Sequence, residues 1–511
     1  MMDEQKLREI PAEKFRFVRS DDRIRDEKLK TRPIGYFKDA WMRFCKDKSA
    51  VVAFALILFL LLFSLIVPFL SHYDVTFRDG YYKTVLPRIG LFDGTGFWDG
   101  TARQRETHAG YDYLRAVGAE SGRPAVVKEL RHFTDANGIE YYDLRVDAYA
   151  KVGFVYLNLG AAEYGALMDY QDRTGIQVIY PMPATSGTNF VIGNGGANFW
   201  YKLADERQGS AGQALLDENG DFIPNYLVSD DAGAGGYRSL RIDGDDGESG
   251  WYVYAVRNQS GCRVRVDYYE YFRYIHGVAP RFVFGTNVYG QDIFSCLAAG
   301  GRLSFLLAIC ISVINFVIGA VYGAVEGYYG GAVDIVLERI SDILYSVPFI
   351  VVATLFQLHL AEKVGVLPSL LFAFVLTGWV PEAASVRMQF YRFKGQEYVL
   401  AARTLGASDR RLIFKHIFPN ALGTIITASV LSIPGVIFSE SMLSYLHIIN
   451  LETSSLTSIG TMLSNGQGFL STYPHIILFP ALFISILEIS FNLFGNGLRD
   501  AFNPSLRGAG E

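Results

Sequence analysis

The sequence predicts a multi-pass α-helical membrane protein with a large β-rich domain inserted outside the membrane. Half of its 511 residues (50%) are hydrophobic. They gather in several apolar runs, each long enough to cross a bilayer core of about 30 Å. After the first run, residues 71–284 contain no such segment and are charged throughout. The chain therefore divides into membrane helices and one inserted, water-facing domain.

The first membrane helix is predicted at residues 49–70, which contain no charged side chain. Residues 1–48 begin as a charged tail. From Pro33 onward aromatic residues alternate with basic ones, which is typical of a segment that lies on the membrane surface. Basic residues beside the first helix indicate a cytoplasmic N-terminus. Because a long charged tail precedes the helix, we expect no cleaved signal peptide.

The segment at residues 71–284 is interpreted as an extracytoplasmic, β-rich inserted domain. Alternation in Cys262–Tyr268 places Val264 and Val266 on one face of a predicted strand, with Arg265 on the other. Breaks rich in Asp, Asn and Gly recur between such candidate strands. A segment of this length is large enough to bury its own core.

Composition excludes several classes of protein. A net charge of −5 gives no electrostatic basis for binding nucleic acid. Four cysteines are too few for a disulfide scaffold. Only Cys262 and Cys296 would lie outside the cell, and their pairing stays open because free cysteine commonly packs as a small apolar residue.

Five further membrane helices are expected after the insert. They lie at about residues 303–324, 335–360, 367–390, 422–448 and 475–494. Counting six crossings from a cytoplasmic N-terminus places the connection between the fourth and fifth helices in the cytoplasm. Its charges agree, because Arg387–Lys415 contains seven basic residues and two acidic ones.

That cytoplasmic connection, Glu397–Asn420, has the pattern of two short helices separated by a glycine. Gly406 is placed to adopt a left-handed C-terminal cap. Ser408 is placed to cap a second helix, and Pro419 is expected to stop it. A polar helix–turn–helix between membrane helices indicates a docking element rather than a catalytic one.

No catalytic or cofactor site is legible in the sequence. No lysine follows a glycine, so the phosphate-binding loop of common ATPases is absent. The eight histidines show no short spacing that would suit a metal on a helix. We therefore expect no enzyme activity, no cofactor and no metal in this chain.

Several segments resemble the permease subunits of ATP-binding-cassette (ABC) importers, most closely the C-type permease of the dipeptide, oligopeptide and nickel group. Glu397–Asn420 is similar to the family's cytoplasmic "EAA" coupling loop, although Leu400 replaces its glutamate. Residues 284–304 and 492–504 resemble the family's segment before the second helix and its closing motif. The resemblance implies a type I ABC importer permease fold, with a core at 285–500, a coupling loop at 396–420 and a cytoplasmic tail at 501–511.

The resemblance also implies roles for individual residues. The ATPase-coupling positions would be Glu397, Ala401, Ala402, Gly406, Arg410, Arg411, His416, Pro419 and Asn420. Glu440 lies in a segment similar to the family's "EASLSFLG", where it would either line the translocation path or lock helices together. Helix locking is the favoured interpretation.

The predicted function is that of a permease subunit in an importer for dipeptides or oligopeptides in a prokaryotic inner or plasma membrane. The implied partners are a second permease in a heterodimer, two cytoplasmic ATPases that bind the ATP, an extracellular or periplasmic solute-binding protein, and membrane lipid. One alternative is a membrane-anchored receptor or adhesion protein that acts through its outer domain. An ion-coupled secondary transporter would require broken repeat helices with ion ligands, which the sequence does not indicate.

Overall fold

The computed structural model describes residues 36–184, 194–205, 212–230, 241–243, 249–259, 261–451 and 456–502. The predicted charged tail up to residue 35 and the end of the C-terminal tail from residue 503 lie outside these ranges. The helices are α1 (Tyr36–Phe44), α2 (Lys48–Leu70), α3 (His108–Ser121), α4 (Ala161–Thr174), α5 (Tyr268–His276), α6 (Ile293–Tyr329), α7 (Gly331–Tyr345), α8 (Phe349–His359), α9 (Ala361–Val364), α10 (Val366–Lys394), α11 (Glu397–Thr404), α12 (Asp409–Arg411), α13 (Phe418–Tyr445), α14 (Ile459–Gly466) and α15 (His475–Phe502).

Five helical segments of the described chain are long and apolar enough to cross a membrane: α2, α6, α10, the continuous helix Asp409–Tyr445, and α15. The predicted crossing at 335–360 differs, because the chain bends between α7 and α8. Pro348 supplies no backbone N–H and disfavours helical geometry at Val347 before it. The apolar helix α8 (Phe349–His359) is shorter than the other five.

The membrane helices are held together by close contacts between backbones. Gly319, Gly323 and Gly327 recur every four residues on α6 and face α10. A Cβ atom at Gly323 would lie 2.2 Å from the carbonyl oxygen of Ala383. Small residues at this spacing let two membrane helices approach closely, so this row fixes how α6 and α10 pack.

The insert combines short antiparallel strands with α3, α4 and α5. The strands are β1 (Thr101–Thr107), β2 (Val126–Thr134), β3 (Glu140–Asp147), β4 (Phe154–Leu159), β5 (Ile179–Tyr180), β6 (Val228–Ser229), β7 (Arg241–Asp243), β8 (Ser249–Tyr252), β9 (Ala255–Asn258) and β10 (Gly261–Asp267). They form three sheets in the orders β1–β3–β2, β4–β10–β5 and β6–β8–β7, with β9 also paired to β10. The insert is thus a mixed α/β assembly.

Strand β10 corresponds to the strand predicted near Cys262. Val264 and Val266 are fully buried in the main core of the insert. Arg265, expected on a polar outer face, is also fully buried. Its guanidinium pairs with Glu120 and donates to the carbonyl of Pro181 at 3.0 Å, so both faces of this strand are covered.

The insert contacts the membrane helices near its two ends. The backbone N–H of Arg88 donates to the carbonyl of Phe282 at 2.9 Å, which brings both ends of the insert together. Trp98 packs against Phe479 of α15 with ring centroids 5.6 Å apart. Among the described residues, no disulfide joins Cys262 in β10 to Cys296 in α6.

Candidate functional site

The turn between α11 and α12 has the geometry of a Schellman C-cap. Gly406 has φ +81°, in the left-handed region. The N–H of Gly406 donates to the carbonyl of Arg403, and that of Ala407 donates to the carbonyl of Ala402 at 3.1 Å. Ser408 occupies the N-cap position of α12 as predicted, although its side chain forms no capping bond. The turn therefore has one defined conformation.

Pro419 does not stop the second helix, which corrects the prediction from sequence. A π-helical stretch, Leu412–Ile417, joins α12 to α13, so one helix continues into the membrane. Proline is tolerated near the first turn of a helix, and here it occupies that position of α13. A wider π-helical turn is a common way to accommodate irregularity inside a long helix.

The inner side of this helix pair is packed firmly against the membrane helices. Val399, Leu412 and Ile417 are fully buried in one cluster with Phe390 of α10 and Tyr328 of α6. The Tyr328 hydroxyl also donates to Asp409 Oδ1 at 2.6 Å. The pair is therefore attached to two membrane helices as well as to α13.

The outer side of the pair is accessible and carries most of the predicted coupling residues. The exposed positions are Glu397, Ala401, Gly406, Arg410, Arg411, Pro419 and Asn420. Ala402 and His416 are half-buried. The Asn420 amide donates to the carbonyl of His416 at 2.7 Å, so this contact is internal to the helix. Within the described part of the chain, Arg410 and Arg411 form no ion pair.

Three apolar side chains on the same outer side were missed from the sequence. Leu405 is 88% exposed, Phe414 is 58% exposed and Leu400 is 48% exposed. Large apolar groups at an otherwise polar surface typically mark an interaction site. The available signal was their presence in a polar segment. Leu400 in particular places an apolar contact where the family's glutamate would stand.

An ion-pair cluster, here called the arginine clamp, links α10 to α7 close to the helix pair. Arg387 donates to Asp334 at 2.7 Å and to Glu338 at 2.9 Å. The hydroxyl of Tyr391 donates to the same Asp334 carboxylate at 2.5 Å. Glu338 thus binds Arg387 of another helix, whereas Arg339 and Asp342 of α7 pair with each other.

Glu440 lies in the C-terminal half of α13 and is 2% exposed. It accepts hydrogen bonds from Ser304 of α6 and Ser444 of α13, each at 3.0 Å. A third serine, Ser441, lies 3.4 Å from the same carboxylate. The group thus joins two helices through hydroxyl donors.

These features define the class of protein. The chain has several helices that are long and apolar enough to cross a membrane, and a helix pair packed against one end of them. This combination is typical of a multi-pass membrane permease.

Comparison with known proteins identifies the family. A family model described as "Binding-protein-dependent transport system inner membrane component" matches residues 315–508. A second, "N-terminal TM domain of oligopeptide transport permease C", matches residues 35–87. The oligopeptide transport system permease protein OppC of Bacillus subtilis (strain 168) is 42% identical over 44% of this chain and 72% of its own length. The chain therefore belongs to the family of binding-protein-dependent transport system inner membrane components.

Two further relatives support the same family. The dipeptide transport system permease protein DppC of Bacillus subtilis (strain 168) is 38% identical over 44% of this chain and 69% of its own length. OppC of Escherichia coli (strain K12) is 34% identical over 44% and 72%.

The protein is thus a multi-pass inner-membrane permease subunit of an ATP-driven, binding-protein-dependent importer, and it is not itself the ATPase. Its family works with ATPase and substrate-binding partners. The comparisons support this assignment and not the alternative of a receptor or adhesion protein.

Proposed function

We propose that this subunit imports dipeptides or oligopeptides and forms half of the translocation path in a heterodimer with a second permease. Two cytoplasmic ATPases and one extracytoplasmic solute-binding protein complete the assembly. The peptide cargo is supported by the relatives, which are named as oligopeptide and dipeptide permeases.

The outer side of the α11–α12 helix pair is the proposed docking surface for one ATPase. The observation that carries this proposal is the combination of a packed inner side and an outer side with apolar and basic groups. Leu405 and Phe414 supply apolar contact area, and Arg410 and Arg411 supply charge for acidic groups of a partner. The small side chain of Ala401 allows the ATPase to approach the backbone of α11 closely.

Movement of the docked ATPase would move this helix pair as one unit. The pair is bonded to α6 through Tyr328 and continues into α13, so its displacement carries both helices. ATP-driven closure would then shift the population between inward-open and outward-open states. His416, Pro419 and Asn420 lie where the pair passes into α13 and would set the direction of this link.

The proposed topology places both termini and the α11–α12 pair in the cytoplasm and the insert outside. Six crossings result if α7 and α8 together form the third one. We further propose that Glu440 locks α6 to α13, which is supported by its burial and by its serine partners from both helices. The insert at 71–284 is proposed to form an outer domain near the mouth of the path.

Co-purification with the ATPase subunits tests the docking proposal. We expect Leu405→Asp and Arg410→Glu each to reduce ATPase recovery about tenfold, which corresponds to about 1.4 kcal/mol of interface free energy. Arg339→Glu is the matched control, because Arg339 is an exposed arginine on α7 outside this surface. Full recovery of the ATPases with both variants would overturn the proposal.

A further inference from the structure

One side of α15 carries a polar stripe that is mostly exposed in the described part of the chain. Its members recur every three or four residues, which aligns them on one face of the helix. They are Ser485, Glu488, Asn492, Asn496 and Arg499. All are exposed except Glu488, which is half-buried. The adjacent face presents Leu482, Ile486, Ile489 and Leu493. Because polar side chains are costly in lipid, the apolar face suits lipid and the polar stripe suits protein or water.

The cytoplasmic end of this stripe opens into a cavity of about 310 Å³ between α10, α13 and α15. Its polar lining comes from all three helices and comprises Ser385, Gln389, Arg392, Thr424, Thr427 and Arg499. The rest of the lining is apolar and comes from Met388, Ala428, Leu431 and Phe502. The cavity therefore offers hydroxyl, amide and two guanidinium groups to the polar parts of a solute, beside apolar contact area.

Several of these groups lack partners within the described residues. Neither Arg392 nor Arg499 forms an ion pair there. The Oε1 atoms of Gln389 and Glu488 are buried and accept no hydrogen bond. Buried polar atoms are normally satisfied, so these groups point to a ligand that supplies the missing contacts.

The spacing of the charges matches the ends of a short peptide. Glu488 and Arg499 lie eleven positions apart on one helix, which is about 16 Å at 1.5 Å per residue. An extended chain spans about 3.3 Å per residue, so about five residues cover that distance. Asn492 and Asn496 lie between the two charges and can bond peptide amides.

We propose that the stripe and the cavity bind a zwitterionic peptide of about five residues, with its carboxylate at Arg392 and Arg499 and its ammonium group toward Glu488. This inference rests on the proposed peptide transport. Guanidinium groups recognise carboxylates through paired N–H donors. An anionic lipid headgroup at the two arginines would not place a cation at Glu488, about 16 Å away along α15, whereas the ammonium group of a peptide does.

Transport of end-blocked peptides by the complete reconstituted importer tests the proposal. The probes are one pentapeptide, its C-terminal amide and its N-acetyl form. We expect Arg392→Gln/Arg499→Gln to lower transport of the free pentapeptide about tenfold, as for the loss of a charge-assisted bond, and to leave the amide unchanged. Glu488→Gln should lower transport of the free pentapeptide and leave the N-acetyl form unchanged. Each rate is divided by the wild-type rate for the same peptide, which removes the selectivity of the binding protein.

Arg339→Gln is the control for the loss of an arginine on the cytoplasmic side. Arg499→Lys should restore part of the preference for the free pentapeptide over its amide. An equal loss of transport for free and blocked peptides would overturn the proposal. So would variants that still distinguish free from blocked peptides as the wild type does but no longer carry bound anionic phospholipid, as measured by mass spectrometry. If the wild-type importer hydrolyses ATP but transports no peptide, that result contradicts the proposed peptide transport itself and not the assignment of this binding site. ATPase rates that stay at the wild-type level in the variants keep the two failures distinct.

Discussion

Gly406 shows how one residue fixes the geometry of the helix pair. Its φ of +81° is strained for any residue with a Cβ, although no atom lies within 4 Å of where that Cβ would be. We therefore expect Gly406→Ala to destabilise the turn by about 1 kcal/mol through backbone strain alone. Reduced ATPase recovery and a lower thermal midpoint of the purified complex would show the effect.

Gly395→Ala is the matched control for that experiment. Gly395 also has open space around it, but its φ of −94° is available to alanine. If both variants behave like the wild type, the left-handed turn is not needed for docking.

Asp99 should make the insert sensitive to acid. Burial opposes its ionisation, but hydrogen bonds from Thr101 and Gly96 and the charge of Arg145 outweigh burial and hold the Asp99 pKa below its usual range. A lowered folded-state pKa stabilises the fold above the unfolded value of about 3.9, and this contribution is lost as pH falls through the folded value.

We expect Asp99→Asn to destabilise the insert by about 1 to 3 kcal/mol at pH 7, with the difference from wild type shrinking below about pH 4. Thermal unfolding at several pH values measures this. Asp143→Asn is the surface comparison. The hydrogen bond with Arg105 lowers the pKa of Asp143 as well, but this pair is exposed at the sheet surface, so we expect a smaller change in stability. A difference that does not change with pH would contradict the role given to Asp99.

At the residue scale, local signals predicted backbone geometry better than side-chain surroundings. Gly406 and Ser408 were predictable as cap residues, because glycine favours the left-handed C-terminal cap and serine favours the N-cap position. The prediction that Pro419 ends the second helix was wrong, because the π-helical turn before it lets the helix continue into α13. The burial of Arg265 was not predictable, since its partner Glu120 comes from a distant part of the chain.

Among the elements, the arginine clamp is the clearest link between α7 and α10. Its central side chain is 24% exposed, and Asp334 is 10% exposed. We expect Arg387→Gln to lower the stability of the assembled importer by about 2 kcal/mol, because it removes charge-assisted hydrogen bonds from partly buried carboxylates. Transport should fall further than ATP hydrolysis, since α7 would no longer follow α10.

The exposed pair Arg339–Asp342 on the same helix is the internal control for the clamp, because such surface pairs contribute little. A double-mutant cycle with Asp334→Asn should give a coupling free energy above about 1 kcal/mol. A coupling near zero would mean that the two side chains are neighbours without energetic consequence.

Sequence patterns located the membrane elements well but not the contacts between them. Long apolar runs predicted these five helices, because hydropathy alone indicates a crossing. Pro348 is a sequence signal for the bend at Ser346–Pro348, but the apolar run around it led to the prediction of one continuous helix. The pairing of Glu338 with Arg387 depends on which faces of two helices meet, and hydropathy does not encode that.

For the whole molecule, the insert can be separated from the transport core by experiment. Arg88 and Phe282 are hydrogen-bonded neighbours, so replacing residues 90–280 with a short glycine linker need not move either end. We expect the shortened chain to retain its ATPase partners and to transport less peptide, because the helix pair lies on the opposite side of the membrane helices. Co-purification and transport assays read these two effects separately, and loss of the ATPases would show that the insert supports the core.

The fold of the insert was the least predictable part of the whole. Alternation identified β10, whose neighbours in the sheet are β4, β5 and β9. The pairing of β10 with β4 joins residues about a hundred positions apart, and no short pattern reports such distances. The family resemblance covers the membrane part, so it could not help here.

The unbroken helix from Asp409 to Tyr445 has a mechanical consequence. Its 37 residues extend about 55 Å at 1.5 Å per residue, well beyond a hydrocarbon layer of about 30 Å. Such a rod acts as a lever: a tilt of about 5° about one end displaces the other by about 5 Å over that length. A small displacement at the α12 end would therefore reach the Tyr445 end through one continuous helix. Part of it would be absorbed at the π-helical stretch Leu412–Ile417 and at Pro434, where the helix lacks a backbone hydrogen bond.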